Sequence, residues 1–311
     1  MHSCRLHSHT ASKSSEAKKR AQLKMACQRG LALITGGCGG LGMAFARSWL
    51  QRGGSVRLAD MVSQKKGDEA CQQLGNNVEF VSCDVTDKEA LREAFANAED
   101  LSLVINNAGI VAHDGADLFE NWEPMIGINV DGVVNGTRLA LEAFERKPIE
   151  DGTSRVILNV GSMAGLIPTT VMPVYTATKY AVVGFTRAMH VAASKRYDPS
   201  IKKNVPTGIR VHAVCPSFAD TGMVNADTLA KDPRNKRTVE LFGGLLTPDF
   251  VSEAAFEKCV DDPAARAILR VTPVDGVKFD EPGLHPVEKA VRNNAIRADP
   301  WGTLRKIMGS K

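Results

Sequence analysis

The chain has 311 residues, of which 43% are hydrophobic and 24% charged, with a formal net charge of +4. That balance excludes a disordered chain, and the charge is too small for the global basic field of a nucleic-acid-binding protein. No apolar run reaches bilayer-spanning length, so a soluble protein with no membrane span is expected.

Residues 1–29 come first. They hold Arg5, Lys13, Lys18, Lys19, Arg20, Lys24 and Arg29 against Glu16 alone. They have no apolar signal core and read as a basic extension outside the fold, either a solvated tail or a stretch upstream of a start at Met25. The alternative is a transit peptide, which implies a mitochondrial location. The seven cysteines (Cys4, Cys27, Cys38, Cys71, Cys83, Cys215, Cys259) are odd in number and show no C-x-x-C spacing. Free thiols in a reducing compartment, the cytoplasm, are the simplest reading. No Cys/His cluster has ligand spacing, so no metal is expected.

From Gly30 onward, strand-like and helix-like stretches alternate. Leu31–Ile34 is a short apolar strand, residues 41–52 carry apolar side chains at helical spacing, and Ser55–Ala59 is a second strand ending at Asp60. Val78–Val81 is the third strand. A helix over 86–98 follows, opened by Thr86 or Asp87 with Glu89 placed for a capping box. Leu101–Ile105 is the fourth strand. A long helix over 122–146 has Asn121 as candidate cap and Pro124 in its first turn. Strand 155–160, helix 174–197 and strand 209–214 come next, then a helix near 248–260 and a strand near 267–272. Tyr197–Gly208 reads as a surface loop and 217–247 as irregular. The pattern predicts one α/β domain over 30–273, a parallel sheet covered on both faces. Residues 274–311, polar and punctuated by Pro and Gly, read as a tail wrapping the surface.

Directly after the first strand stands Thr35-Gly36-Gly37-Cys38-Gly39-Gly40-Leu41-Gly42, and then a helix. A strand–glycine turn–helix unit brings backbone N–H groups and a helix N-terminus up to a pyrophosphate. A merely tight turn is the alternative, and the flanking elements argue against it. Asp60 closes the second strand 18 residues beyond Gly42. A carboxylate there accepts hydrogen bonds from both adenosine ribose hydroxyls and repels a 2′-phosphate, which favours NAD over NADP. Met61 follows where an NADP site often carries arginine. Cys83-Asp84-Val85 ends the third strand, where Asp84 serves either the adenine amino group or a turn.

Tyr175 and Lys179 stand four apart on a predicted helix and share a face. An ammonium near a phenol favours the phenolate, so the pair suits proton transfer. An exposed tyrosine beside a solvated lysine is the alternative. Order and placement favour the first reading. Gly161-Ser162 ends the fifth strand thirteen residues before Tyr175. Asn106-Asn107-Ala108-Gly109 ends the fourth, at the edge where parallel sheets bind ligands. Asn129 lies in the long helix between.

With these motifs in this order, the chain resembles the short-chain dehydrogenase/reductase family. The likeness runs over residues 30–272 on TGGCGGLG (35–42), Asp60, CDV (83–85), NNAG (106–109), Asn129, Ser162, YTATK (175–179) and CPSF (215–218) with Thr221. It implies a Rossmann-like, doubly wound parallel sheet of about seven strands in a single domain, and an Asn129–Ser162–Tyr175–Lys179 tetrad. It implies NAD bound by Gly36, Gly40, Leu41, Gly42, Asp60, Met61, Cys83, Asp84, Val85, Asn107, Ala108, Gly109, Tyr175, Lys179, Pro216, Phe218 and Thr221. It also implies a homodimer built through the long helices. Within the family the likeness is strongest to the prostaglandin-oxidising branch, on stretches such as NWEPMIGIN (121–129) and AILRVTPVDGVKF (267–279). Three departures stand out. Pro216-Ser217 replaces the usual Pro-Gly, Met172 replaces that branch's glutamine three residues before the tyrosine, and 110–120 differs.

The chemistry so implied is hydride transfer from a secondary alcohol. Tyr175 takes the hydroxyl proton, Ser162 orients the oxygen, Lys179 lowers the tyrosine pKa and Asn129 holds a water. Met163, Met172, Phe218 and residues 220–247 suit a hydrophobic alcohol or ketone, with core packing as the alternative. A non-catalytic NAD-binding regulator and a methyltransferase on a related fold are the competing classes, and the tetrad argues against both.

Overall fold

A computed structural model describes residues 30–98, 100–111, 122–146, 155–169, 172–224 and 233–280. In chain order the elements are β1 (Leu31–Thr35), α1 (Gly40–Gln51), β2 (Ser55–Asp60), α2 (Gln64–Leu74), β3 (Val78–Ser82), α3 (Lys88–Ala94) and β4 (Leu101–Asn106). Then come α4 (Trp122–Ile126), a π-helical turn (Gly127–Asp131), α5 (Gly132–Arg146), β5 (Arg155–Val160) and α6 (Pro173–Ser194). After these stand β6 (Lys195–Asp198), β7 (Lys203–Pro206), β8 (Ile209–Pro216), α7 (Pro233–Leu241), α8 (Pro248–Ala255), β9 (Ile268–Thr272) and β10 (Gly276–Phe279).

The strands form a sheet in the order β3-β2-β1-β4-β5-β8-β9-β10. All neighbours are parallel except β9 and β10. A parallel sheet needs crossover helices on both faces, so its central strands are apolar throughout rather than alternating. β5 is buried at every position and β1 at all but its first. One apolar layer packs under α1 and α8, with Phe45, Trp49 and Phe256 at its centre. The other packs under α3, α5 and α6, with Leu91, Leu139 and Phe144. Strand order reverses between β1 and β4, and the crevice at their carboxyl ends is the ligand-binding place of such sheets.

The α1–α8 contact fixes the helix whose N-terminus faces that crevice. The Phe45 and Phe256 rings lie 6.5 Å apart and those of Trp49 and Phe256 6.1 Å. Burying each such side chain stabilises the fold by about 1.5–3 kcal/mol. Around them Ser48 donates to Glu253 at 2.6 Å, and Arg52 bridges to Asp261 at 3.0 Å.

Four expectations change. The sheet has eight strands, not about seven: residues 276–279, assigned by sequence to the wrapping tail, add an antiparallel edge strand. The hairpin turns at Gly276, φ +73°, with the Asp275 N–H bonded to the Thr272 hydroxyl. With only Val277 and Phe279 apolar among its four residues, this strand carries too little pattern to stand out from the polar segment around it. The expected loop 197–208 contains the β6–β7 hairpin, so α6 stops at Ser194. The 122–146 helix is interrupted by the π-helical turn that carries Asn129. The region 217–247 holds α7. The capping assignment resolves to Asp87, whose side chain accepts from the N–H groups of Glu89 and Ala90. Asn121 and most of 110–120 lie outside the described residues.

Candidate active site

The carboxyl ends of β1, β2, β4, β5 and β8 open into one cavity of about 640 Å³. It runs from Asp60, Met61, Cys83, Asp84 and Val85 at one end, past the glycine loop, to Ser162, Tyr175 and Lys179 at the other.

Loop geometry explains why glycine stands where it does. Gly36 has φ +59°, and a Cβ there would sit 2.9 Å from the Ala108 Cα. The neighbouring chain is tied down at the same place. The Thr35 hydroxyl accepts from the N–H groups of Asn107 (3.0 Å) and Ala108 (3.1 Å). The Asn107 amide donates to the Thr35 and Gly36 carbonyls, both at 2.9 Å. At Gly39, which lines the cavity, the nearest protein atom to an added Cβ is 3.4 Å away, so the space a side chain would take is left open. Gly39 caps α1 without a side-chain bond, and the first turn of α1 has no acidic residue. Its N–H groups and dipole therefore face the cavity uncompensated, the arrangement that binds a pyrophosphate. Gly42 does not line the cavity. A Cβ there would meet the Gly36 carbonyl at 2.3 Å, so its role is close packing of loop on helix.

Asp60 holds the loop from the next strand. One carboxylate oxygen accepts from the Cys38 N–H at 3.0 Å and the other from Val62 N–H at 3.3 Å. Met61 beside it is 71% exposed and offers no cation for a 2′-phosphate. Asp84 lines the cavity and also closes a turn, accepting from the Thr86 N–H and hydroxyl. Burial pushes the Cys38 and Cys83 thiols up to about 12 and 11, so neither is a thiolate nucleophile. These residues fit NAD: an open glycine cradle for the pyrophosphate, and a carboxylate at the ribose position.

At the chemical end Ser162 caps a short 3₁₀ turn (Met163–Gly165), its hydroxyl accepting from the Ala164 N–H at 3.1 Å. That hydroxyl lies beside the Tyr175 phenol in the same cavity and favours its ionised form. The Lys179 ammonium lies 5.6 Å from the Tyr175 ring centroid and donates to the Val160 carbonyl at 2.9 Å. The geometry brings the expected triad together. Burial pushes the Tyr175 phenol up to about 12, against the opposing pull of the Ser162 hydroxyl. Burial also brings Lys179 down to about 8. The Lys179 cation donates to a backbone carbonyl and is itself disfavoured by desolvation. So buried, the Tyr175 phenol is protonated near neutral pH.

Asn129 lies outside the cavity wall, fully buried. Its Oδ1 accepts from the Ile110 N–H at 2.8 Å, and its Nδ2 donates to the Ile110 carbonyl (2.9 Å) and the Thr178 hydroxyl (3.2 Å). Thr178 in turn donates to the Tyr175 carbonyl at 2.7 Å. Asn129 therefore ties Ile110, just past the NNAG end of β4, to Thr178 in the second turn of α6.

Met163, Met172, Pro216, Phe218 and Thr221 all line the cavity. Sequence reasoning missed Ile167 and Thr169 there, and reached Thr238 and Phe242 only as part of the span 220–247. Phe242 packs edge-on to Phe218 with ring centroids 5.7 Å apart. The available signal was Gly243-Gly244, both at positive φ, which mark the end of a helix carrying Thr238.

A model of the short chain dehydrogenases matches residues 30–232. The chain is 30% identical over 269 residues to 15-hydroxyprostaglandin dehydrogenase [NAD(+)] of Bos taurus, covering 81% of this chain and 94% of that one. It is 33% identical over 221 residues to 3-hydroxyacyl-CoA dehydrogenase type-2 of Drosophila melanogaster, covering 67% and 80%. Among solved structures, 3-ketoacyl-(acyl-carrier-protein) reductase from Brucella melitensis complexed with NADH is similar with a TM-score of 0.64. Its sequence is 26% identical, and the match covers 78% of this chain and 96% of that one. On the matched span, the sheet order and the placement of the motifs, the chain belongs to the short-chain dehydrogenase family.

Proposed function

We propose that this protein is an NAD-dependent oxidoreductase that interconverts a hydrophobic secondary alcohol and its ketone. The carrying observation is that Ser162, Tyr175 and Lys179, the last 5.6 Å from the tyrosine ring, share one cavity with the glycine loop and Asp60. NAD, when bound, supplies the hydride-accepting carbon and, oxidised, a positive charge. The glycine loop and the α1 N-terminus hold the pyrophosphate. Asp60 accepts from the ribose hydroxyls and Asp84 from the adenine amino group. Tyr175 exchanges the hydroxyl proton with the substrate oxygen. Ser162 orients that oxygen and donates to it as carbonyl character develops. Lys179, a donor at the Val160 carbonyl, anchors α6 against β5 and reaches a ribose hydroxyl.

The wall beyond Tyr175 supports a hydrophobic substrate. Met163, Met172, Ile167, Met223, Phe218 and Phe242 contribute to it, with Thr169 and Thr238 as the polar exceptions. The names of the matched relatives, an oxidiser of a hydroxylated lipid and a hydroxyacyl-CoA dehydrogenase, favour a hydroxy-lipid. Met172 offers no hydrogen bond like that of a glutamine, so the substrate's polar groups differ from those of a prostaglandin. A reductase of a non-lipid carbonyl is the second reading, favoured by the neutral Tyr175. We place the protein in the cytoplasm, with mitochondria following if residues 1–29 are a transit peptide. It assembles as a homodimer through the faces of α5 and α6 that expose Val134, Tyr180 and Val191. NADH formation at about 340 nm with hydroxy-lipids, steroids and short secondary alcohols tests the function. Turnover of hydroxy-lipids above short alcohols is expected. Turnover of none, in either direction, overturns it.

A further inference from the structure

Ser217 follows directly on β8. Val160 pairs with Val214 across β5 and β8, which places Ser217 just past the strand end, level with the Ser162 end of the cavity. The chain here is pinned on both sides. The Ser217 N–H donates to the Val271 carbonyl at 2.9 Å, the Phe218 carbonyl accepts from Leu246 at 2.8 Å, and the Asp220 N–H donates to Leu246 at 2.9 Å. The Ser217 backbone N–H is therefore committed to β9. Its hydroxyl is different. It is shut off from solvent and has no hydrogen-bond partner among the described residues, although Ser217 itself lines the cavity.

Buried hydroxyls in folded proteins are nearly always satisfied, and an orphan is unfavourable on a backbone too well held to relax. Turning χ1 from one staggered well to another moves the oxygen without moving that backbone. Ser217 replaces the glycine that the family resemblance leads one to expect, so the hydroxyl is an addition to that pattern. Met163 and Phe218 contribute apolar wall to the same cavity. A hydrocarbon substrate lying against them has nothing to offer a hydroxyl. A nicotinamide carboxamide has both an N–H donor and a carbonyl acceptor, and a serine hydroxyl can meet either.

Resting on the assignment of Ser162 and Tyr175 as the chemical end, we propose that the Ser217 hydroxyl hydrogen-bonds the carboxamide of the nicotinamide ring. It is a positioning residue for the cofactor, fixing the rotation of the ring. The test compares the affinities of the full chain for NADH and for ADP-ribose, which lacks the nicotinamide, by calorimetric titration. Ser217→Ala should weaken NADH roughly three- to tenfold, the worth of one hydrogen bond, and leave ADP-ribose unchanged. Ser217→Gly, with the usual family residue, should do the same and guards against a folding defect particular to alanine. Equal loss for both ligands, or loss for neither, overturns the proposal, as does an effect confined to the KM of the alcohol. Failure of the catalytic reading would appear separately, as absent turnover in the unaltered protein, because the ratio of the two affinities reports on Ser217 alone.

Discussion

Asp60→Asn removes one charge from the ribose end of the cavity while keeping the side chain's shape. The carboxylate is half-buried and already accepts from the Cys38 and Val62 N–H groups, so it is held in place before any ligand binds. A 2′-phosphate in reach of it would put like charges together. At a separation of about 4 Å and an effective dielectric near 20, one unit pair costs about 4 kcal/mol, or roughly a thousandfold in affinity. Partial exposure and salt screening reduce that to on the order of a hundredfold. Asparagine keeps an oxygen for the Cys38 N–H, so the loop should stay put. The ratio of kcat/KM for NAD to that for NADP, measured at low ionic strength by absorbance of the reduced cofactor, should fall about a hundredfold. Most of the change should be a gain for NADP. A ratio that moves less than about threefold, in a variant whose melting temperature is intact, refutes the role given to Asp60.

Asn129→Ala strips hydrogen bonds from the Ile110 N–H and carbonyl and from the Thr178 hydroxyl, and should cost about 2–4 kcal/mol in denaturant unfolding. Turnover should fall further than the affinity for NADH, because α6 and Tyr175 lose their tie to β4. His212 predicts an acid limit. It is fully buried, its Nδ1 bonds the Arg266 carbonyl at 2.8 Å, and its Nε2 has no partner among the described residues. Burial, with smaller contributions from Arg210 and His190, brings it down to about 3 from an ordinary value of 6.5. Between those values the unfolded chain binds a proton that the folded one does not, so stability falls as pH drops below about 6.5. The loss should reach roughly 2–3 kcal/mol by about pH 4.5. His212→Asn should flatten that slope of urea stability against pH; an unchanged slope contradicts it.

The sheet's five central strands and the cofactor loop were legible because each carries a local signal. Leu31–Ile34 is apolar without interruption, the glycines follow at once, and Asp60 ends the next strand. Ser162, Tyr175 and Lys179 were legible by order and spacing. What escaped depends on contacts between distant segments. β10 exists only because it can hydrogen-bond β9. The β6–β7 hairpin is too short for a period to show, and the π-helical turn at Gly127–Asp131 adds one residue to a turn without breaking the helical spacing around it. The cavity wall from Thr238 and Phe242 depends on where α7 lies. The electrostatics of the site depend on the fold in the same way. Four-residue spacing places Lys179 beside Tyr175, but only the fold shows its ammonium turned to the Val160 carbonyl.

The central claim is that Tyr175 transfers the proton. Tyr175→Phe keeps the ring and its packing and removes only the phenol oxygen. With NAD and the best alcohol of the panel, kcat should fall by a factor on the order of 10²–10⁴, while the Kd for NADH stays within about twofold. A variant that keeps turnover within about tenfold of the unaltered protein would contradict the account.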